Sequence, residues 1–345
     1  MFLTNAWYVA AWAHEVSRVP MARMILGRTV LLYRKEDGAV VALSDRCPHR
    51  SAPLHKGKVI GDNIECPYHG LQFGPSGACA YNPCSNALPK AATLRCYPVV
   101  ESQRAIWIWT GEAELAAPEK IVDLVYLDDT AHWRTVMDVL HARANYQLIA
   151  DNLLDLSHVE FRHPSMAVSG SNRRMKRSTK QEGATVWAFN ESREEPLTEM
   201  FKEHWPAGRE AGMGTLWADM LWHAPGILIL DTGITGVGRP REDGARAPSV
   251  HLLTPETESS CHYFWASARN WGMDQPDQDD EIRRNTQQLF RDEDLTIIEA
   301  QQRYLETESD APPVLLPPDE AAMRARRILD ALIAKETQSG NASIA

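Results

Sequence analysis

Cys47-Pro48-His49-Arg50 and, after a spacer, Cys66-Pro67-Tyr68-His69-Gly70 are the stretches on which the reading of this chain turns. Each bracket pairs one thiol with one imidazole at very short spacing, C-x-H in the first and C-x2-H in the second. Two thiolates can bind one iron of a 2Fe-2S cluster while two neutral imidazoles bind the other, which raises the reduction potential above that of an all-cysteine cluster. The competing reading is a Cys2His2 zinc site, but zinc brackets usually separate paired ligands by two or more residues and group like with like. Here each bracket mixes the two types, on loops flanked by proline and glycine. The arrangement favours iron and sulfur.

Outward from these brackets, residues 1 to about 110 read as short strands between turns. Val30–Tyr33, Val40–Leu43 and Ala105–Trp109 are strand-like, and Glu36-Asp37-Gly38 and Pro75-Ser76-Gly77 are turn signals. The small-residue bridge from Gly111 to Pro118 marks a boundary, so we expect an all-β cluster domain over 1–115 and a second domain over 116–345. The 345 residues suffice for two cores. No apolar run approaches the ~20 residues of a membrane helix. The amino terminus lacks the basic segment of a secretory signal, so a cytoplasmic protein is expected. A net charge of -10 argues against a nucleic-acid partner. Six cysteines spread over the chain do not suggest a disulfide scaffold.

A cluster alone only carries electrons, and most of the chain lies beyond it. There Asp151-Asn152-Leu153-Leu154-Asp155-Leu156-Ser157-His158 precedes His163. Two imidazoles and a carboxylate form the facial triad of non-haem iron oxygenases. Asn145–His158 is helical in pattern, which places Asp155 and His158 on one face. His158 and His163 lie about 140° apart on an ideal helix. Pro164 pushes its predecessor out of helical geometry, so the helix should end before His163. A long helix over Asp279–Leu305 carries the candidate acids Glu293 and Asp294, between which periodicity cannot choose. Gly226–Leu230 and Cys261–Ala266 read as strands. Ser169–Gly183 and Gly236–Pro248, rich in charge, read as solvated loops.

These features resemble the vanillate O-demethylase oxygenase group of the Rieske non-haem iron oxygenases, to which dicamba monooxygenase and toluenesulfonate methyl-monooxygenase belong. The matching stretches include Asn5–Ala11, both brackets, Pro98–Glu101, Asn145-Tyr146, Asp151–Asp155, Leu253–Thr257, Cys261–Phe264, Ala268–Asn270 and Glu293-Asp294. The brackets lack the extra cysteine that respiratory Rieske loops carry. The resemblance implies an α+β fold: an all-β Rieske domain, then a helix-grip-like catalytic domain with an antiparallel sheet. It implies Cys47, His49, Cys66 and His69 as cluster ligands, and His158, His163 and Asp294 as ligands of mononuclear Fe(II). Asp155 becomes a bridge from an iron histidine to a cluster histidine of the next subunit in a head-to-tail homotrimer, and Asn152 a supporting residue near the iron. His251 matches a substrate-contacting histidine of one member. Asp231 falls near a polar pocket position, subject to a one-residue shift. Asn285 replaces a pocket tryptophan, a placement that needs a bend because Asn285 and Asp294 lie on opposite sides of an unbroken helix.

The implied activity is hydroxylation of a methyl carbon of an aromatic substrate, with O2 as co-substrate, and foremost O-demethylation of a methoxy aromatic acid. Hydroxylation of an aryl methyl group or ring is a second enzymatic reading. A non-catalytic electron carrier is a third, and it requires no second iron. The chain has no Gly-rich dinucleotide fingerprint, so electrons must come from a separate NAD(P)H-dependent reductase or ferredoxin.

Overall fold

Alternating and continuous apolar runs in the first third of the chain form ten strands in a computed structural model, which describes residues 1–205, 208–308 and 313–342. These are β1 (Trp7–Trp12), β2 (Met21–Ile25), β3 (Arg28–Arg34), β4 (Val40–Ser44), β5 (Lys58–Ile60), β6 (Asn63–Glu65), β7 (Gln72–Phe73), β8 (Cys79–Tyr81), β9 (Val99–Ser102) and β10 (Ala105–Trp109). They make three small antiparallel sheets in the orders β1-β10-β9, β2-β3-β4 and β5-β6-β7-β8. The core beneath the brackets consists of Leu31, Tyr33, Leu43, Leu54, Ile64, Phe73 and Leu94, with Cys47 and Cys66 among them.

This first unit covers Met1–Ile121 and takes back Thr254–Glu258. The seam therefore falls later than the small-residue bridge suggested. The reason is local: the Trp7 indole donates to the Ala117 carbonyl at 2.9 Å and holds the bridge on the first unit. Thr254 Oγ1 likewise donates to Val9 O at 2.7 Å, and Leu26 N to Pro255 O at 2.8 Å.

The second unit, Val122–Leu253 with Ser259–Ala345, is built on one sheet. Its strands are β11 (Arg134–Ala142), β12 (Lys176–Glu182), β13 (Thr185–Pro196), β14 (Met213–His223), β15 (Ile227–Thr235), β16 (Ala245–Arg246), β17 (Ser249–Thr257) and β18 (Ser260–Arg269). The order is β11-β18-β17-β15-β14-β13-β12, with β16 beside β15. Lys176–Glu182, expected as loop, is the edge strand, paired with β13 from Lys176↔Glu191 to Glu182↔Thr185. Its charges suit an edge, where lysine discourages pairing with another chain.

Helical segments from two stretches of the chain decide the site. Tyr146–Leu154 is a helix capped by Asn145, whose side chain accepts from Gln147 N. It stops at Asp155, which is extended (φ −114, ψ 94) and caps the next turn, Leu156–His158. Helical geometry resumes over Val159–Arg162 and ends before His163, as Pro164 requires. The long acidic helix is interrupted: Asp277–Gln288 and Leu295–Thr307 are α-helical, and Leu289–Asp294 between them is a π-helix. Widened i→i+5 turns of this kind recur at functional sites. Glu320–Ala342 forms a further helix that the sequence reading passed over, with Ala321, Ala325 and Leu329 buried at helical spacing. Among the described residues, no helix is long and apolar enough to cross a membrane.

Candidate metal centres

In the first unit the two bracket loops share one backbone design. Cys47 N donates to Ala52 O (2.9 Å) and Ser51 N to Cys47 O (2.8 Å); Cys66 N donates to Leu71 O (2.7 Å) and Gly70 N to Cys66 O (3.0 Å). Both loops need a left-handed residue at the same place, Ser51 (φ 59) in one and Gly70 (φ 70) in the other. Cys47 and Cys66 are buried, whereas His49 and His69 are exposed with ring centroids 4.7 Å apart. Burial pushes the Cys47 thiol up, while the amides of His49 and Arg50 directed at its sulfur favour the thiolate. Thiols inward and imidazoles outward suit a cluster with one sulfur-ligated and one nitrogen-ligated iron.

In the second unit His158, His163 and Asp294 offer ligand atoms that all lie within 4.8 Å of one another. Asp294 Oδ1 is 3.1 Å from His163 Nε2 and 3.6 Å from His158 Nε2. The Asp294 side chain is only 7% exposed, and its Oδ1 has no hydrogen-bond partner. An orphaned carboxylate oxygen facing two imidazole nitrogens is costly unless a cation completes it. The residues fit a mononuclear iron in a facial triad.

The far nitrogens explain the orientation of the rings. His158 Nδ1 is 2.7 Å from the main-chain carbonyl of Asp155, and His163 Nδ1 is 2.6 Å from Glu293 Oε2. Each carbonyl or carboxylate accepts the Nδ1 proton and leaves the Nε2 lone pair free for a metal. Burial works against a charge on His163, yet Asp294 and Glu293 together raise its pKa above the ordinary value. The choice between Glu293 and Asp294 thus becomes a division of labour, because the π turn brings both acids to the histidines. Arg162 donates to the Glu293 carbonyl and fixes that turn.

The other expected site residues are placed unequally. The Asp155 carboxylate does not hold His158, since the helix breaks there; its Oδ1 accepts from Ser157 N at 2.9 Å. Asn152 is half-buried on the Tyr146–Leu154 helix. His251 is fully buried, with Nε2 2.8 Å from Ser249 Oγ and Nδ1 2.7 Å from Tyr263 Oη. Burial drives its pKa down to about 3, so the ring is neutral. Phe290 of the π turn packs on His251 and Tyr263 at centroid distances of 5.4 and 5.2 Å, with Trp265 at 6.3 Å. This aromatic wall was missed because β18 alternation alone does not say which face meets the iron helix.

Asp231 belongs elsewhere. The register Leu228↔His251 and Leu230↔Ser249 puts Leu228 and Leu230 on the face of His251 and sends Asp231 to the opposite face. There it pairs with Arg246 at 2.8 Å. Asn285 is exposed on the Asp277–Gln288 helix, outside this group.

A cluster unit followed by a sheet-and-helix unit with a His-His-Asp site defines a Rieske-type oxygenase component. Residues 6–98 match the Rieske 2Fe-2S domain, and residues 142–335 match the vanillate O-demethylase oxygenase C-terminal domain. The chain belongs to the vanillate O-demethylase oxygenase family. It is 38% identical to the oxygenase component of dicamba O-demethylase from Stenotrophomonas maltophilia, over 96% of this chain and 98% of that one. It is 37% identical to the toluene-4-sulfonate monooxygenase iron-sulfur subunit of Comamonas testosteroni, over 97% and 98%. The crystal structure of dicamba monooxygenase bound to 3,6-dichlorosalicylic acid superimposes with a TM-score of 0.91 at 36% identity, covering 97% of this chain and 99% of that one. The protein is accordingly an oxidoreductase whose cofactors are a Rieske 2Fe-2S cluster and a mononuclear iron, with O2 as co-substrate.

Proposed function

We propose that this chain is the terminal oxygenase that hydroxylates a methyl carbon of an aromatic substrate, its foremost reaction being O-demethylation of a methoxy aromatic acid. The observation that carries the reading is the orphaned Asp294 Oδ1 facing His158 and His163 in a chain that also holds a Cys2His2 bracket pair. In this reading Cys47, His49, Cys66 and His69 hold the cluster, and His158, His163 and Asp294 hold the iron. Once bound, the cluster would supply electrons one at a time and the iron would supply activation of dioxygen.

The chain's own residues prepare the site. Asp155 O and Glu293 Oε2 hold the Nδ1 protons of the two histidines, so both rings present Nε2. Phe290, Tyr263, Trp265 and neutral His251 form an aromatic wall that excludes water and gives an aromatic ring apolar contact. Asn152 supports the iron segment. The second carboxylate oxygen of Asp155 serves a neighbouring subunit's cluster histidine in a head-to-tail homotrimer, a closed heterologous ring.

A hydroxylated methoxy carbon is a hemiacetal and collapses to a phenol and formaldehyde. One oxygen atom enters the methyl carbon; the other leaves as water, with two electrons and two protons supplied per turnover. A separate NAD(P)H-dependent reductase or ferredoxin delivers the electrons, and the assembly works in the cytoplasm. Similarity to the toluene-4-sulfonate subunit supports a second reading, hydroxylation of an aryl methyl group. Assay of methoxybenzoates and methylbenzenesulfonates with a surrogate reductase decides between them. Formaldehyde release is expected from the ethers; benzylic alcohol formation alone would overturn O-demethylation.

A further inference from the structure

The first cluster loop has a lock that the second lacks. Asp45, two residues before Cys47, has a side chain only 2% exposed. Its Oδ1 accepts from the His55 amide at 2.7 Å, and its Oδ2 lies 2.5 Å from His55 Nδ1. Its main-chain carbonyl accepts from Leu54 N at 3.2 Å, and its own amide donates to Thr29 O at 3.0 Å. One residue thus ties the loop's entry to its exit and both to β3. In the second loop the position two residues before Cys66 is Ile64, a buried apolar side chain, so no carboxylate–imidazole pair can form there.

The difference has a physical reason. Pro48, His49, Arg50 and Ser51 are exposed, so packing does not hold the tip of the loop. The second loop meets its left-handed position with Gly70, whereas the first forces Ser51 into a conformation that disfavours a side chain. Arg46 Nε donates to Ser51 Oγ at 2.8 Å, which steadies the strained residue locally. Besides the backbone bonds from Cys47 N to Ala52 O and from Ser51 N to Cys47 O, Cys47 and His49 are held in register by the closure at the base.

We propose that Asp45 and His55 are positioning residues for the 2Fe-2S cluster: their pair locks the first loop so that Cys47 and His49 keep ligating geometry. The inference rests on the reading of Cys47 and His49 as ligands. It is tested on the intact holoenzyme with His55→Ala and His55→Asn. Asparagine places an N–H donor near where Nδ1 stands, whereas alanine removes it. Three quantities are measured: the rhombic spectrum of the reduced cluster, its reduction potential, and the rate of bleaching by an iron chelator.

His55→Ala is expected to bleach about tenfold faster or more, with a shifted spectrum and potential, and His55→Asn to restore all three towards wild type. If His55→Ala fails to accumulate a cluster, a loaded His55→Asn protein supports the lock, and an unloaded one overturns it. Unchanged bleaching, spectrum and potential in His55→Ala also overturn it. Absence of any Rieske spectrum in the wild type would instead refute the ligand reading, and the lock with it.

Discussion

Glu293→Ala removes the partner of His163 Nδ1 and leaves every proposed metal ligand in place. The lost hydrogen bond is short, 2.6 Å, and its carboxylate is 25% exposed, so solvent screens it only partly. A hydrogen bond to a charged group at such a site is worth about 1.5–3 kcal/mol. At about 1.4 kcal/mol per decade, that predicts roughly 10- to 100-fold weaker iron binding, the range typical of such outer partners. The bond from Arg162 goes to the main-chain carbonyl of Glu293, so the π turn should persist in the variant. Glu293→Gln keeps an oxygen acceptor without the charge and should fall between. The assay is Fe(II) competition against a chelator of known affinity, with the cluster's visible absorbance as internal control. Iron affinity within twofold of wild type, or loss of the cluster rather than the mononuclear iron, would refute the assignment.

Asp155→Asn retains an acceptor for Ser157 N and the carbonyl that holds His158, so it should fold and load both centres; in single-turnover mixing its cluster should stay reduced long after the wild-type cluster has oxidised. Asp231→Asn, on the face opposite His251, should change KM less than about twofold and lower stability by about 1 kcal/mol or less, measured by denaturant melts. Burial depresses the folded pKa of His251 to about 3, so the unfolded chain takes up its proton first. Its contribution to stability is therefore complete above about 6.5 and declines as pH falls towards 3. His251→Gln should flatten the dependence of Tm on pH between 6.5 and 4.5, and an unchanged slope would remove His251 as its source.

The segments that carry the candidate ligands were the most legible part of the sequence because their chemistry is local. Cys47 to His69 needs only short spacing, and the helix end before His163 follows from Pro164 alone. What stayed hidden depends on long-range geometry. Alternation along β15 cannot reveal that its register with β17 turns Asp231 away and Leu230 towards His251. Helical periodicity assumes 3.6 residues per turn, so it could not assign Glu293 and Asp294 to separate tasks across a π turn. Asp155 looked helical because Leu153, Leu156 and their neighbours fit the period; its break is set by the capping bond to Ser157. The charged segment Lys176–Glu182 looked like loop because edge strands carry charge on purpose.

The central claim is that one chain holds both a Rieske cluster and a mononuclear iron bound by His158, His163 and Asp294. Iron and acid-labile sulfide are counted per chain in wild type and in Asp294→Ala, alongside the reduced-state spectrum. The account predicts about three irons and two sulfides in the wild type, the sum of a 2Fe-2S cluster and one further iron. In Asp294→Ala it predicts about two irons and two sulfides with the rhombic Rieske signal intact and turnover abolished. Zinc in place of the cluster, or an iron count in Asp294→Ala equal to that of wild type, would contradict it.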